Sequence, residues 1–226
     1  AIDYKAIAHK ANIATRTASA DVLMALAQQV ENMIVSSADL SNSDKTDGFL
    51  KGGARPLRKG DFSGAFLQAG VAELTMAAIC NGIALHGGIF VACGTFFVFS
   101  DYMKPAVRLA ALMQVPVKYV WSHDAFRVGE DGPTHQPIEQ EAQIRLLEKV
   151  RNHAGNMSLL ALRPADAAET SVAWKMAMEN TSAPTALILS RQNINDLPGE
   201  DRYEEALQAG KGAYIVAKNG ENPDII

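Results

Sequence analysis

The sequence predicts an α/β fold, a three-layer arrangement with a parallel sheet covered by helices on both faces. Three observations predict it. Short, apolar, β-rich runs alternate with helical patterns along most of the chain. The connections between them are mostly short, as in sheets built from crossover units. Polar clusters follow Val35, Trp121 and Leu189, which places them beyond the carboxyl ends of strands, where such sheets bind their ligands.

The elements follow in order. Residues 15–31 read as a helix with Thr15 or Ser19 as possible caps. Met33 to Ser36 is a short strand. Residues 37–64, rich in Ser, Asp, Gly and Lys, read as a long surface loop of the kind that is usually functional or mobile. Residues 71–86 form a strongly apolar helix, Ile89 to Phe96 a strand, and residues 97–113 a helix interrupted by Pro105. Val117 to Trp121 is a buried strand, and Ser122 to Gln136 a loop crowded with Gly, Asp and His. A helix near 139–151, a strand at 158–162, a helix at 166–179 and a strand at 185–189 complete the pattern. It weakens from about residue 198, and Lys211 to Val216 reads as the first strand of a further unit. The expected division is one domain over 1–200, followed over 201–226 by a linker and the truncated start of a C-terminal domain.

Composition excludes several classes. The chain has 226 residues, 48% hydrophobic and 20% charged, with a net charge of -4, so neither a nucleic-acid nor a membrane-surface partner is expected. No apolar run is long enough to span a bilayer. The opening Ala1-Ile2-Asp3-Tyr4-Lys5 is not a signal peptide and lacks an initiator Met, which suggests a processed chain or a piece of a longer one. Cys80 and Cys93 lie in apolar runs without metal-ligand spacing, as expected of buried, reduced thiols in a cytoplasmic protein.

Four places carry candidate chemistry. Glu73 opens the apolar helix; it is either a partly solvated carboxylate favoured by the helix macrodipole or a desolvated one with a raised pKa, poised for proton transfer. Phe96, Phe99 and Tyr102 are spaced by three, so on a helix they would share a face, as core or as the wall of a slot for a flat ring. The loop containing His123, Asp131 and His135 suits hydroxyl recognition or proton transfer, with zinc a weaker alternative. Arg191, directly after a buried strand, suits a phosphate or carboxylate, with Arg16 and Ser43 as further anion contacts. There is no Walker loop and no GxGxxG.

Several strings resemble the transketolase family in order and spacing, from about residue 14 to 197: Ala14-Thr15-Arg16, Ser37-Ala38-Asp39-Leu40, Asn81-Gly82-Ile83, Leu85-His86-Gly87-Gly88, Arg108 to Met113, Gly129-Glu130-Asp131-Gly132-Pro133-Thr134-His135-Gln136-Pro137 and Ser190-Arg191-Gln192-Asn193. The resemblance implies the central, pyrimidine-binding domain of a thiamin-diphosphate enzyme. That enzyme moves a two-carbon ketol unit between sugar phosphates such as xylulose 5-phosphate, ribose 5-phosphate and erythrose 4-phosphate, in the pentose phosphate pathway. It implies that Glu73 bonds N1′ of the aminopyrimidine ring and favours the imino tautomer that takes the C2 proton. Phe96, Phe99 and Tyr102 would form the ring pocket, and Asp39 would lie near the cofactor and the subunit interface. His123 and His135 would act at the donor sugar and the reacting carbonyl. Asp131 would read an acceptor hydroxyl, and Arg16, Ser43 and Arg191 would hold the sugar phosphate.

The resemblance further implies a homodimer and an N-terminal domain that holds the diphosphate through Mg²⁺ or Ca²⁺. This sequence has no Gly-Asp-Gly motif for that metal, so none of its own residues is expected as a metal ligand, and the fragment alone is expected to be inactive. Departures from the family pattern are Ala72 where Arg is usual, Leu74 where Phe or His is common, Ser122 for Thr, and the segment from Lys45 to Gly64. The alternatives are a related enzyme, dihydroxyacetone synthase or deoxyxylulose-phosphate synthase, or a dimerising module without catalytic activity.

Overall fold

The computed structural model describes residues 2–126, 128–129, 131–217 and 220. Six strands, β1 (Met33–Ser37), β2 (Phe66–Gln68), β3 (Phe90–Phe96), β4 (Lys118–Ser122), β5 (Leu160–Leu162) and β6 (Thr185–Ile188), form one sheet in the order β2-β1-β3-β4-β6-β5. Every pairing is parallel. The helices are α1 (Thr15–Gln29), α2 (Ser41–Asp44), α3 (Gly48–Lys51), α4 (Glu73–His86), α5 (Ser100–Met113), α6 (Gln140–Lys149), α7 (Ala167–Glu179) and α8 (Arg202–Ala206).

Strand periodicity builds two cores. Tyr119 and Trp121 point to one face of β4, stacked at 5.6 Å, and pack with Met76 and Cys80 of α4 and Met103 and Val107 of α5. Val120, between them, joins the opposite core with Leu23 and Leu26 of α1, Phe49 of α3 and Trp174 of α7. Trp174 Nε1 donates to Ser19 Oγ at 2.8 Å, which fastens α7 to α1. The predicted three-layer parallel architecture is therefore the one observed.

Several expectations need correction. Residues 37–64 are not simply a surface loop: they hold α2 and α3, and Asp44, Thr46 and Phe49 are buried. β2, unpredicted, adds the sheet edge just beyond. Ala14, not Thr15 or Ser19, precedes α1, and the Thr15 hydroxyl accepts from Ser190 N–H at 2.8 Å instead of capping. Pro105 lies inside a continuous α5; near the helix start its missing N–H removes only one early bond, and it does not break the helix. The strand at 158–162 shortens to Leu160–Leu162. Lys211 to Val216 forms no strand: a 3-10 turn ends at Lys211 and the next residues are irregular. Among the described residues no strand pairs with them, and apolar spacing alone does not satisfy a backbone. The preceding α8 is tied to α7 by Arg202, which pairs with Asp166 at 3.1 Å.

Chain direction across the sheet reverses between β1 and β3, because β1 runs on to β2 on one side and β3 to β4 on the other. The carboxyl ends at such a reversal leave a crevice between the outgoing loops, and the candidate residues gather there.

Candidate active site

Glu73 is the first residue of α4 and is 9% exposed. With Ala38, Leu40, Val71, Phe99 and Tyr102 it lines a cleft of about 370 Å³ whose wall is mainly apolar. The N-terminus of α4 favours a negative charge at this point. Phe96 ends β3, Phe99 lies in a 3-10 turn and Tyr102 in the first turn of α5. The three do not share one helix, as their spacing suggested, yet they still line up. Phe96 and Phe99 stack at 5.8 Å and 12°, and Phe99 and Tyr102 lie 6.1 Å apart at 30°. Tyr102 is the open end of the row, at 61% exposure.

His123 continues the row inward. It leaves β4 with a left-handed backbone, φ 60°, unusual for a side chain of its size. That turn lays its ring on Phe96, with centroids 3.6 Å apart and planes 24° from parallel. Nδ1 lies 2.9 Å from Ser122 Oγ, and Nε2 lies 3.5 Å from Arg16 Nη1. Facing a cationic donor, Nε2 is the acceptor and Nδ1 carries the proton. Burial first, then the charges of Arg16, Arg191 and His135, push the His123 pKa down to about 3, so the ring is neutral at physiological pH. His135 stands edge-on to Phe99 at 5.3 Å, and its Nδ1 is 2.8 Å from Thr134 Oγ1.

Beyond His123 the site turns cationic. Arg16, Gly129, Arg191, Gln192 and Asn193 line an open, polar pocket of about 510 Å³. Arg16 Nη1 donates to the Ser43 carbonyl at 2.7 Å, and its buried Nε has no hydrogen-bond partner among the described residues. Burial and the neighbouring Arg191 lower the pKa of the Arg16 guanidinium. Asp131 Oδ2 lies 3.0 Å from Arg191 Nε and 3.7 Å from His123 Nε2. It is close enough to pair electrostatically but accepts no well-aligned hydrogen bond from the described residues. Among the described residues lining this pocket the charged side chains are Arg16 and Arg191, a pair of donors suited to an anion. Thr15 and Ser190 set their spacing. Thr15 N–H donates to Ser190 Oγ at 3.0 Å, in exchange for the bond from Ser190 N–H to the Thr15 hydroxyl.

The structure thus brings Glu73, Phe96, Phe99, Tyr102, His123 and His135 into one continuous wall, and Arg16, Asp131 and Arg191 into its cationic end. Ser43 enters through its carbonyl rather than its hydroxyl. Asp39 is exposed, with a left-handed φ of 65°, beside the cleft residues Ala38 and Leu40. Arg127 and Glu130, within the His123 loop, lie outside the described residues. Two supporting groups were not foreseen. Asp124, 4% exposed, receives Arg163 Nη2 at 3.0 Å, and buried Asp44 holds the turn after β1. Only the adjacency of Asp124 to His123 hinted at the first.

A family profile described as "Transketolase, pyrimidine binding domain" matches residues 11–196. The chain belongs to the transketolase family. A transketolase of Bacillus subtilis (strain 168) is 48% identical over 218 residues, covering 95% of this chain and 30% of that protein. A Pichia stipitis transketolase solved with sedoheptulose-7-phosphate superposes with a TM-score of 0.82 at 37% identity, covering 97% of this chain and 32% of the other. A structure described as "Split gene transketolase, inactive beta4 tetramer" matches with a TM-score of 0.64 at 28% identity, covering 84% of this chain and 55% of its own. This transketolase pyrimidine-binding domain therefore spans about 30% of the length of the curated relatives it matches. The cleft, the row of rings and the cationic end all fall within the matched residues.

Proposed function

We propose that this chain is the pyrimidine-binding part of an enzyme that transfers a two-carbon ketol unit between a ketose phosphate and an aldose phosphate. One observation carries the reading: a shielded carboxylate at the start of α4 shares a flat-walled cleft with Phe99 and Tyr102, and the same wall runs on through Phe96 and His123 to two arginines. The cleft fits the aminopyrimidine of thiamin diphosphate, with an apolar lining for the ring faces and a carboxylate for a ring nitrogen. Bound there, thiamin diphosphate supplies the electron sink that lets a ketose carbon–carbon bond break.

The chain's own residues have separate tasks. Glu73 holds or shares a proton at the ring nitrogen, and its partial burial strengthens that bond. Phe96, Phe99 and Tyr102 orient the ring and exclude water. Neutral His123, and His135 beside it, hydrogen-bond sugar hydroxyl and carbonyl oxygens and move protons there. Asp131 reads a hydroxyl of the acceptor, and Arg16 and Arg191 take the phosphate. Asp39 lies toward the cofactor and the second subunit. The sugar phosphate in the Pichia stipitis complex supports this substrate class.

Mg²⁺ or Ca²⁺ and the diphosphate belong to an N-terminal domain of the same enzyme. The partner subunit of a homodimer covers the face of α4 and α5, where Leu74, Leu85 and Leu109 are exposed. Alone the chain is inactive, in keeping with the inactive split-gene assembly. The test uses the full-length enzyme with xylulose 5-phosphate and ribose 5-phosphate, and with formaldehyde as the alternative acceptor. Ribose 5-phosphate is the expected acceptor, and Glu73→Gln is expected to lower kcat at least a hundredfold while the fold survives. Near-normal turnover would remove Glu73 from its role, and a preference for formaldehyde would favour dihydroxyacetone synthase.

A further inference from the structure

The turn after β1 is built around a carboxylate that the mechanism above does not use. Asp44 closes α2 and is wholly buried. Its Oδ1 accepts from Thr46 N–H at 2.8 Å and from Thr46 Oγ1 at 2.7 Å, and its Oδ2 accepts from Ser37 Oγ at 2.7 Å. Ser37 Oγ in turn accepts from Leu40 N–H at 3.2 Å. The network encloses two non-glycine residues with left-handed backbones, Asp39 at φ 65° and Lys45 at φ 69°. Such conformations persist only where the surroundings over-determine them.

The turn also rests on β3. A Cβ added to Gly94 would lie 2.5 Å from Thr46 Cγ2 and 2.9 Å from Asp44 Oδ2, so the network has no room to shift toward the sheet. What it presents to the site is the carbonyl of Ser43, next in sequence to Asp44, which receives Arg16 Nη1 at 2.7 Å. Among the described residues Arg16 Nε has no partner and His123 Nε2 lies at 3.5 Å, so that carbonyl is the closest hydrogen-bond anchor they offer the guanidinium.

We propose that Asp44 is a positioning residue for substrate phosphate: its three hydrogen bonds fix the turn whose Ser43 carbonyl aims Arg16 into the cationic pocket. The proposal rests on the assignment of Arg16 to the sugar phosphate. The ionised carboxylate accepts all three bonds. Once protonated, it must donate one of them, and Ser37 Oγ has to turn its hydrogen elsewhere. The charged or titratable groups facing Asp44 are Arg16 of α1, Cys93 of β3 and Asp47 of its own turn. Burial raises the Asp44 pKa to about 6, so this exchange falls within an accessible pH range.

The variant Asp44→Asn keeps size and both Thr46 bonds but must donate toward Ser37. In the full-length enzyme we expect KM for xylulose 5-phosphate to rise on the order of tenfold. We expect kcat, and KM for an unphosphorylated ketose, to change less than about twofold. The ratio of the two enzymes' KM values should fall toward one as pH drops through about 6; the second ionisation of the substrate is common to both and cancels. Thr46→Val, which removes one bond and keeps the charge, should act in the same direction but less. Equal losses on phosphorylated and unphosphorylated substrates, or a pH-independent ratio, would overturn the proposal. Titration of both proteins with inorganic phosphate separates it from the functional reading. An enzyme without ketol transfer sinks that reading, whereas weaker phosphate binding by Asp44→Asn upholds the role of Asp44 and unchanged binding sinks it.

Discussion

Replacing Arg163 with Ala tests how the loop carrying His123 is held. Asp124 follows His123, and its Oδ2 receives Arg163 Nε at 3.2 Å and Nη2 at 3.0 Å. Burial raises the Asp124 pKa, and the guanidinium opposes that rise. A hydrogen-bonded charge pair contributes roughly 1.5–3 kcal/mol. Because the Arg163 side chain is 39% exposed, solvent screening favours the low end, about 1.5 kcal/mol. For a chain of this length that corresponds to roughly 3–6 °C in Tm. The loss must also depend on pH. Without Arg163 the buried carboxyl shifts further up, so the folded variant binds a proton that the unfolded chain does not. Its stability then falls as pH rises through the folded pKa. The penalty is therefore largest near neutrality and shrinks in acid, where protonation removes the stranded charge. Thermal unfolding of the chain and the variant, followed by circular dichroism at about pH 7.5 and about pH 5, measures both effects. An equal loss at the two pH values, or none, would refute the claim that Arg163 serves to compensate buried Asp124.

Two further predictions concern the body of the sheet. Gly94→Ala should cost roughly 1–3 kcal/mol in urea unfolding, because the new methyl meets Thr46 and Asp44 at sub-contact distance in a site with no outlet; a neutral result would mean the turn after β1 yields freely. Lys118 is buried in β4, bonded to the carbonyls of Pro116 at 2.6 Å and Asn180 at 3.3 Å, and burial lowers its pKa to about 8. Between that value and the unfolded 10.5 the unfolded chain binds the extra proton, so this group makes stability rise with pH across the interval. Lys118→Met should abolish that rise, read as the difference between the two proteins' unfolding free energies from about pH 7.5 to about pH 10.

The parts of the fold legible in the sequence are those in which one physical signal dominates. β3 and β4 are buried apolar runs, and α4 is an apolar helix between glycines; nothing competes with those patterns. The turn after β1 is hidden from composition because Ser37, Asp44 and Thr46 satisfy one another inside the protein, and by residue type alone such a group looks like a solvated loop. β2 is three residues long and borrows its order from β1, so no local periodicity announces it. At the site, Glu73, His123 and Arg191 stand out because ionisable side chains at the ends of apolar elements are conspicuous. The roles of Asp44, and of Arg163 beneath Asp124, depend on partners 2 to 39 residues away, a relation carried only by the folded chain.

The reciprocal bonds between Thr15 and Ser190 have a consequence for how the protein is made. Arg16 and Arg191 follow these two residues, so the spacing between the two cations is set by a tie that closes a span of 175 residues. A chain emerging from the ribosome carries Glu73 and the whole row of rings long before that tie can form. The arginine pair is the last part of the site to assemble, and a proteolytic nick that frees either end of the span would release it first.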